Sequence, residues 1–152
     1  MLPDEERGLF SKSRLEAMMA VMMGGQAAEE VVFSDITTGA SNDLQNATRV
    51  ARKMVTEYGM SDLGPQTFEC CQGQVFLGRD LGQGQNISDA AAEKIDTEVG
   101  NLLMRARKTA ESQIEANREK LTLLANRLLA QETLEARELE KILAGEGATQ
   151  IA

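Results

Sequence analysis

Histidine is missing altogether from the 152-residue sequence. That absence removes the Ser-His-Asp and Cys-His nucleophile systems, the H-E-x-x-H zinc motif and the histidine-bearing zinc fingers. Tryptophan is also missing, tyrosine occurs once, and aromatics make up only 3% of the chain. Any core must therefore be aliphatic. Ala, Leu, Met and Val would carry it, a composition that suits packed helices better than sheets. The only two cysteines, Cys70 and Cys71, are adjacent, and neighbouring cysteines rarely bond to each other. No disulfide framework is possible, and a reducing compartment is the simpler assumption. With no second C-x-x-C and no histidine to complete a site, the pair reads as two small loop residues. Basic residues are outnumbered, 16 against 24 acidic, for a net charge of −8. An acidic domain repels phosphate backbones, so no nucleic-acid partner is expected. The small cluster Arg49, Arg52, Lys53 reads as a solvated helix face. No run of about 18 apolar residues occurs, so this chain has no membrane span of its own. Residues Met1 to Glu6 lack a signal-peptide pattern, and Met1-Leu2-Pro3 reads as a chain opened mid-domain. The P-loop pattern is absent, and Gly82 and Gly84 do not open a dinucleotide fingerprint. No ATP or dinucleotide site is expected.

What is present is helical periodicity. Hydrophobic residues make up 42% of the sequence, enough for the core of one domain of ordinary size. Ser11 or Ser13 caps a first helix, in which Leu15, Met18, Met19 and Met22 form an apolar stripe. Gly24-Gly25 interrupts that stripe, either ending the helix or letting another pack very close. Ala27, Ala28, Val31 and Val32 continue the pattern, and Ser34, Asp35, Thr37, Thr38 and Gly39 form a polar turn. The second helix spans roughly Ser41 to Tyr58. Ser41 is its cap, Leu44, Ala47, Ala51, Met54, Val55 and Tyr58 are its apolar face, and Gly59 stands where a C′ glycine belongs. Residues 60–87, with Gly64-Pro65 and Gly73, Gly78, Gly82 and Gly84, read as a loop with one short strand at Gln74 to Leu77. A third helix starts after Ser88 and reaches about Ala116, with Ala92, Ile95, Val99, Leu102, Ala106, Ala110 and Gln113 on its buried side. A fourth holds Leu121, Leu124, Leu128 and Leu129. A fifth begins near Thr133, carries Leu134, Leu139, Ile142 and Leu143, and ends at Gly145. The fold expected is all-α: an antiparallel bundle of about five helices with a Gly-rich loop in the middle. One domain covers 2–145, and 146–152 is a frayed tail.

The chemistry available is that of carboxylates. Glu29 and Glu30 close the first apolar segment, where a solvated or salt-bridged helix end is the ordinary reading. Asp43 lies in the first turn of the second helix, where an acid offsets the helix dipole and accepts amide hydrogen bonds. The residues alone describe an acidic helical domain of open role.

Several strings narrow that role. Gly24-Gly25-Gln26-Ala27-Ala28-Glu29-Glu30-Val31-Val32-Phe33 resembles the pattern GGRAAEE followed by two aliphatics and an aromatic. Thr37-Thr38-Gly39-Ala40-Ser41-Asn42-Asp43-Leu44 resembles TTGASNDI, and residues 47–56 continue it. Gly59-Met60-Ser61-Asp62-Leu63-Gly64-Pro65, Val75-Phe76-Leu77-Gly78-Arg79-Asp80 and Glu132-Thr133-Leu134 follow in order. Together, from about Leu2 to Leu143, the sequence resembles the C-terminal part of the peptidase domain of the FtsH-type ATP-dependent zinc metalloproteases. The form GMSDLGP is similar to cyanobacterial and chloroplast members. The resemblance implies a parent with a membrane anchor, an ATPase module and a peptidase domain, assembled as a homo-hexamer that unfolds and degrades membrane and soluble proteins. It implies that this domain lies on the cytoplasmic or chloroplast stromal side. The family's zinc is held by the two histidines of H-E-x-x-H, whose Glu is the base, and by a carboxylate on the ASND helix. By position that third ligand is Asp43, the one metal residue expected here. The chain departs from the family in two ways. It starts after the point where H-E-x-x-H would lie, so it contains no catalytic or cofactor-binding residue and is expected to be inactive alone, with zinc weakly bound or absent. Gln26 stands where the family has Arg. The alternative is a non-proteolytic helical module of the same ancestry that serves assembly or as an adaptor.

Overall fold

The computed structural model describes residues 9–68 and 87–145. The described residues are all-α: α1 (Lys12–Phe33), a 3-10 turn (Thr38–Ala40), α2 (Ser41–Thr56), α3 (Asp89–Ala116), α4 (Arg118–Gln131) and α5 (Ala136–Ala144). The expected strand at 74–77, the cysteine pair, the loop glycines from Gly73 to Gly84 and the tail 146–152 lie outside the described residues.

Ser11 starts α1, its hydroxyl accepting the Arg14 N–H at 3.2 Å. This satisfies one of the amide donors that a helix N-terminus leaves over. The buried stripe is Leu15, Met19, Met23 and Ala27, a strict i, i+4 row. The Gly24-Gly25 pair neither ends the helix nor admits a neighbour. α1 runs through both positions, and a Cβ added at either would meet nothing within 4 Å. The other residues of the 22-residue helix, and the burial of its stripe, outweigh the roughly 1 kcal/mol that each glycine costs. Past Phe33 the chain turns at Ser34, whose φ of 55° is left-handed and whose N–H bonds back to the Glu30 carbonyl.

α2 grows directly from the 3-10 turn. Ser41 is its first residue rather than its cap, and the Ala40 that precedes it makes no side-chain cap hydrogen bond. Ala47, Ala51, Met54 and Val55 are buried, while Leu44 and Tyr58 at the two ends are 38% and 48% exposed. The helix stops at Thr56, and Gly59 takes a φ of 60° so that the Met60 N–H reaches back to the Met54 carbonyl at 2.9 Å. That is the glycine-terminated stop expected from the sequence.

α3 is capped by Ser88, which accepts the Ala91 N–H at 3.2 Å. It buries Ile95, Val99, Leu102, Ala106 and Ala110, whereas Ala92 and Gln113 at the limits of the stripe are exposed. α1, α2 and α3 pack against one another around a core free of aromatics among its fully buried members, as the composition requires. Ala27, Ala47, Ala51, Ala106 and Ala110 in that core let the helix axes approach closely, since interaxial distance follows side-chain size at the contact. On α3 the buried Glu98 accepts the Asp62 N–H at 3.3 Å and the Asn101 amide at 3.1 Å. These bonds moor the loop after α2 to the long helix.

The C-terminal helices differ from expectation in burial and in where α5 begins, which leaves Leu134 ahead of that helix. α4 has no fully buried residue: Leu121 and Leu124 are partly covered, and Leu128 and Leu129 are exposed. α5 starts at Ala136, later than Thr133, and buries only Ile142. The two helices pair with each other, aided by the Lys120 ammonium donating to the Leu143 carbonyl at 2.7 Å. Periodicity marks an apolar face, but among the described residues the tertiary arrangement leaves this one largely uncovered.

Candidate functional site

The carboxylates singled out above lie around the junction between the end of α1 and the start of α2. Glu29 and Glu30 occupy the last turn of α1, and Asp43 the first turn of α2. The linker between them is short and polar, and its conformation is set by one of the two glutamates.

Glu29 is part-exposed and pairs with no cation among the described residues; it holds the linker instead. Its Oε2 accepts the Thr37 N–H at 2.9 Å, and its Oε1 accepts the Thr37 hydroxyl at 2.9 Å. The Thr37 hydroxyl in turn accepts the Gly39 N–H at 3.3 Å. A carboxylate that receives two donors from one residue fixes that residue's backbone and side chain together, and charge-assisted bonds of this kind are the stronger class. Gly39 sits against this arrangement: a Cβ there would lie 3.3 Å from the Thr37 hydroxyl and 3.9 Å from Glu29. The clasp was not legible as a pairing. Its only trace in the sequence is an acid at the end of one helix followed by Thr-Thr-Gly at the start of the next.

Glu30 follows the ordinary expectation. It forms an ion pair with Arg107 on α3, whose guanidinium also bonds Glu111 at 2.8 Å. The hydrogen bond to Glu111, with further support from Glu30, pushes the Arg107 guanidinium up from its ordinary value despite partial burial. It is a permanent cation between two carboxylates. The bridge joins the end of α1 to the middle of α3 and stiffens the platform from which Glu29 reaches out.

Asp43 is exposed on the third residue of α2. It makes no hydrogen bond or ion pair among the described residues, so it forms neither a capping box nor an N-cap with the amides beside it. Zinc takes three or four protein ligands. The chain has no histidine, and no group of three His, Cys, Asp or Glu side chains converges among the described residues. A lone exposed carboxylate is not a zinc site, and no second ligand stands beside Asp43 among the described residues.

Comparison with known proteins decides the family. The model of Peptidase family M41 matches residues 1–142. The chain belongs to peptidase family M41. An ATP-dependent zinc metalloprotease FtsH 1 of Thermoanaerobacter sp. (strain X514) is 46% identical over 147 residues, covering 96% of this chain and 24% of that protein. An ATP-dependent zinc metalloprotease FtsH of Slackia heliotrinireducens is 47% identical over 143 residues, 93% of this chain and 18% of the relative. The Bacillus subtilis FtsH is 44% identical over 145 residues, 94% and 23%. The chain thus spans about a quarter or less of the length of the curated relatives it matches. Among the described residues of this M41 chain, no helix is long and apolar enough to cross a membrane.

Proposed function

We propose that this chain is the C-terminal portion of the peptidase domain of an ATP-dependent zinc metalloprotease, a single domain over 2–145, and that Asp43 is its contribution to the metal. The observation that carries the assignment is the exposed Asp43 carboxylate at the start of α2, which has no partner among the described residues. It falls at the ligand position of the TTGASND string in a member of the M41 family.

The rest of the ligand set is the H-E-x-x-H pair of histidines, whose Glu is the base, from a segment that precedes these residues in the parent. Zinc bound there supplies a Lewis acid that activates water for peptide hydrolysis. In that set Asp43 offers an anionic oxygen that lowers the net charge of the site. α2 carries it, and the body of that helix is fixed by Ala47, Ala51 and Met54, fully buried one to three turns further on. The similarity to proteins named ATP-dependent zinc metalloprotease supports protein substrates for the whole protein. The FtsH resemblance supports a membrane-anchored parent working as a homo-hexamer, with this domain on the cytoplasmic or stromal side. The net charge of −8 supports no nucleic-acid partner.

The test is Asp43→Asn in this chain joined to the upstream histidine segment and ATPase of the Bacillus subtilis relative. The substitution keeps shape and removes charge. Bound zinc and proteolysis are expected to fall together, proteolysis by orders of magnitude, while ATP hydrolysis and the melting temperature hold. Helix-dipole service alone would instead cost about 0.3–1 kcal/mol of stability and leave proteolysis intact. Stoichiometric zinc and full proteolysis in the Asn variant would remove Asp43 from the site.

A further inference from the structure

We infer that α1 is held to the bundle by an oxidisable latch: Met18 and Met22 on its flank are targets for peroxides, and their conversion to sulfoxides releases α1 from α2 and α3. The device needs neither Asp43 nor a metal.

Six of the chain's eight methionines gather in one place. Met19 and Met54 are fully buried, two of the four largest side chains that are, and Met23 is 5% exposed. Met18, Met22 and Met60 are partly buried and pack against this cluster. Four of the six stand on α1 as two i, i+4 pairs. Met19 and Met23 belong to the buried stripe. Met18 and Met22 each lie one residue back, which turns them about 100° round the helix, to the edge where the core meets solvent. Leu15 and Ala27, one at each end of the stripe, are the other buried residues of α1, so the middle of the helix is attached through thioethers. Leucine fills nearly the same volume, but the thioether can be oxidised. A hydroperoxide transfers one oxygen to the sulfur: the O–O bond breaks, an S–O bond forms, sulfur gives up two electrons, and the peroxide leaves as an alcohol or water. The product is polar where the side chain was apolar, and its oxygen needs a donor. Between Ala17 and Ala28 the one polar side chain of α1 is Gln26, and the amides of a helix interior are spent on its own carbonyls. The oxidised side chain either turns out to water and leaves the core edge, or stays with its oxygen unsatisfied. In both cases α1 loses its flank contact, and solvent reaches Met19, Met23 and Met54. Oxidation then runs inward. Met104 on α3 is 54% exposed and outside the cluster, so its sulfoxide faces solvent and releases nothing.

The test uses this chain carrying Cys70→Ser and Cys71→Ser as the parent, so that thiols do not contribute. It is treated with hydrogen peroxide. Tandem mass spectrometry gives the order in which the methionines oxidise, and thermal melts followed by circular dichroism give the consequence. Met104 should oxidise early without moving the melt. Met18 and Met22 should follow, and the melting temperature should then fall by about 5 °C or more. Met19, Met23 and Met54 should oxidise only after a lag. The double variant Met18→Leu, Met22→Leu should melt close to the parent before peroxide. After peroxide it should stay within about 2 °C of its own starting value, with its inner methionines still reduced at exposures that oxidise them in the parent. Methionine sulfoxide reductases A and B together should restore the melt of the oxidised parent, a readout that depends on neither leucine substitution. Conversion of Met18 and Met22 with an unmoved melt overturns the inference. So does a double variant that loses as much as the parent, oxidation of Met19, Met23 and Met54 with no lag, or a melt that stays low once the sulfoxides have been reduced.

Discussion

Leu102→Ala and Leu124→Ala lie on the same apolar periodicity in sequence, yet the structure gives them different fates. Leu102 is 1% exposed in the middle of α3, inside the cluster shared by α1, α2 and α3. Removing three carbons from it forfeits about 2.4 kcal/mol of transfer free energy, at about 0.8 kcal/mol per buried methylene-sized group. The core is rigid, so a cavity remains, and the total rises to about 3–5 kcal/mol. At the size of this chain that corresponds to a melting temperature lower by about 10 °C or more. Leu124 is only partly covered, on a helix with no buried residue. Its truncation leaves no closed cavity and should cost about 1 kcal/mol or less by the same transfer coefficient. Urea titrations followed by far-ultraviolet circular dichroism measure both. Equal losses for the two variants would refute the reasoning, because they would mean that α4 is buried as deeply as α3. A Leu124 effect that grows with protein concentration would show instead that a second copy covers the α4 face.

Two glycine substitutions should have opposite signs in the same denaturation assay. Gly25→Ala, in the interior of α1 with open space at its Cβ, should stabilise by about 0.5–1 kcal/mol. Gly59→Ala forces a side chain onto a φ of 60°, with its Cβ 3.2 Å from the backbone of Pro65 and of Gln66, and should destabilise by more than the roughly 1–2 kcal/mol of the left-handed backbone alone. Arg107→Met leaves Glu30 and Glu111 without their shared cation. It should cost about 1–2 kcal/mol at low salt and visibly less at 1 M salt, where screening reaches to about 3 Å; a salt-independent loss would assign the effect to packing. The purified chain by itself should hydrolyse neither casein nor ATP, since it holds no histidine and no P-loop; chelator-sensitive casein cleavage would show a metal site in these residues.

The secondary structure was legible because it rests on local chemistry. Ser11 and Ser88 cap helices wherever their hydroxyl can meet an amide three residues on. Gly59 and Gly145 stop helices because they alone take positive φ at no steric cost. The 3.6-residue spacing from Ala47 to Val55 and from Ile95 to Ala110 predicts a buried face whatever packs against it. Local chemistry also misled in places. Two adjacent glycines suggest a break, but in α1 the four-residue stripe from Leu15 to Ala27 is buried against α2 and α3, and that burial holds the helix through them. Ser41 has the chemistry of a cap, but the Glu29-clasped 3-10 turn already feeds the helix, so Ser41 becomes its first residue.

By itself the sequence determined an aliphatic all-α chain with no histidine, and, through its ordered strings, the family to which it belongs. Only the tertiary structure decided which carboxylates are engaged. Glu29, Glu30 and Asp43 look alike in a sequence, each an acid near a helix end. In three dimensions Glu30 meets a cation on α3, Glu29 grips the linker eight residues on, and Asp43 meets no partner among the described residues. The physical reason is that a carboxylate's role depends on which donors lie within about 3 Å of it, and those donors come from segments that only folding brings together.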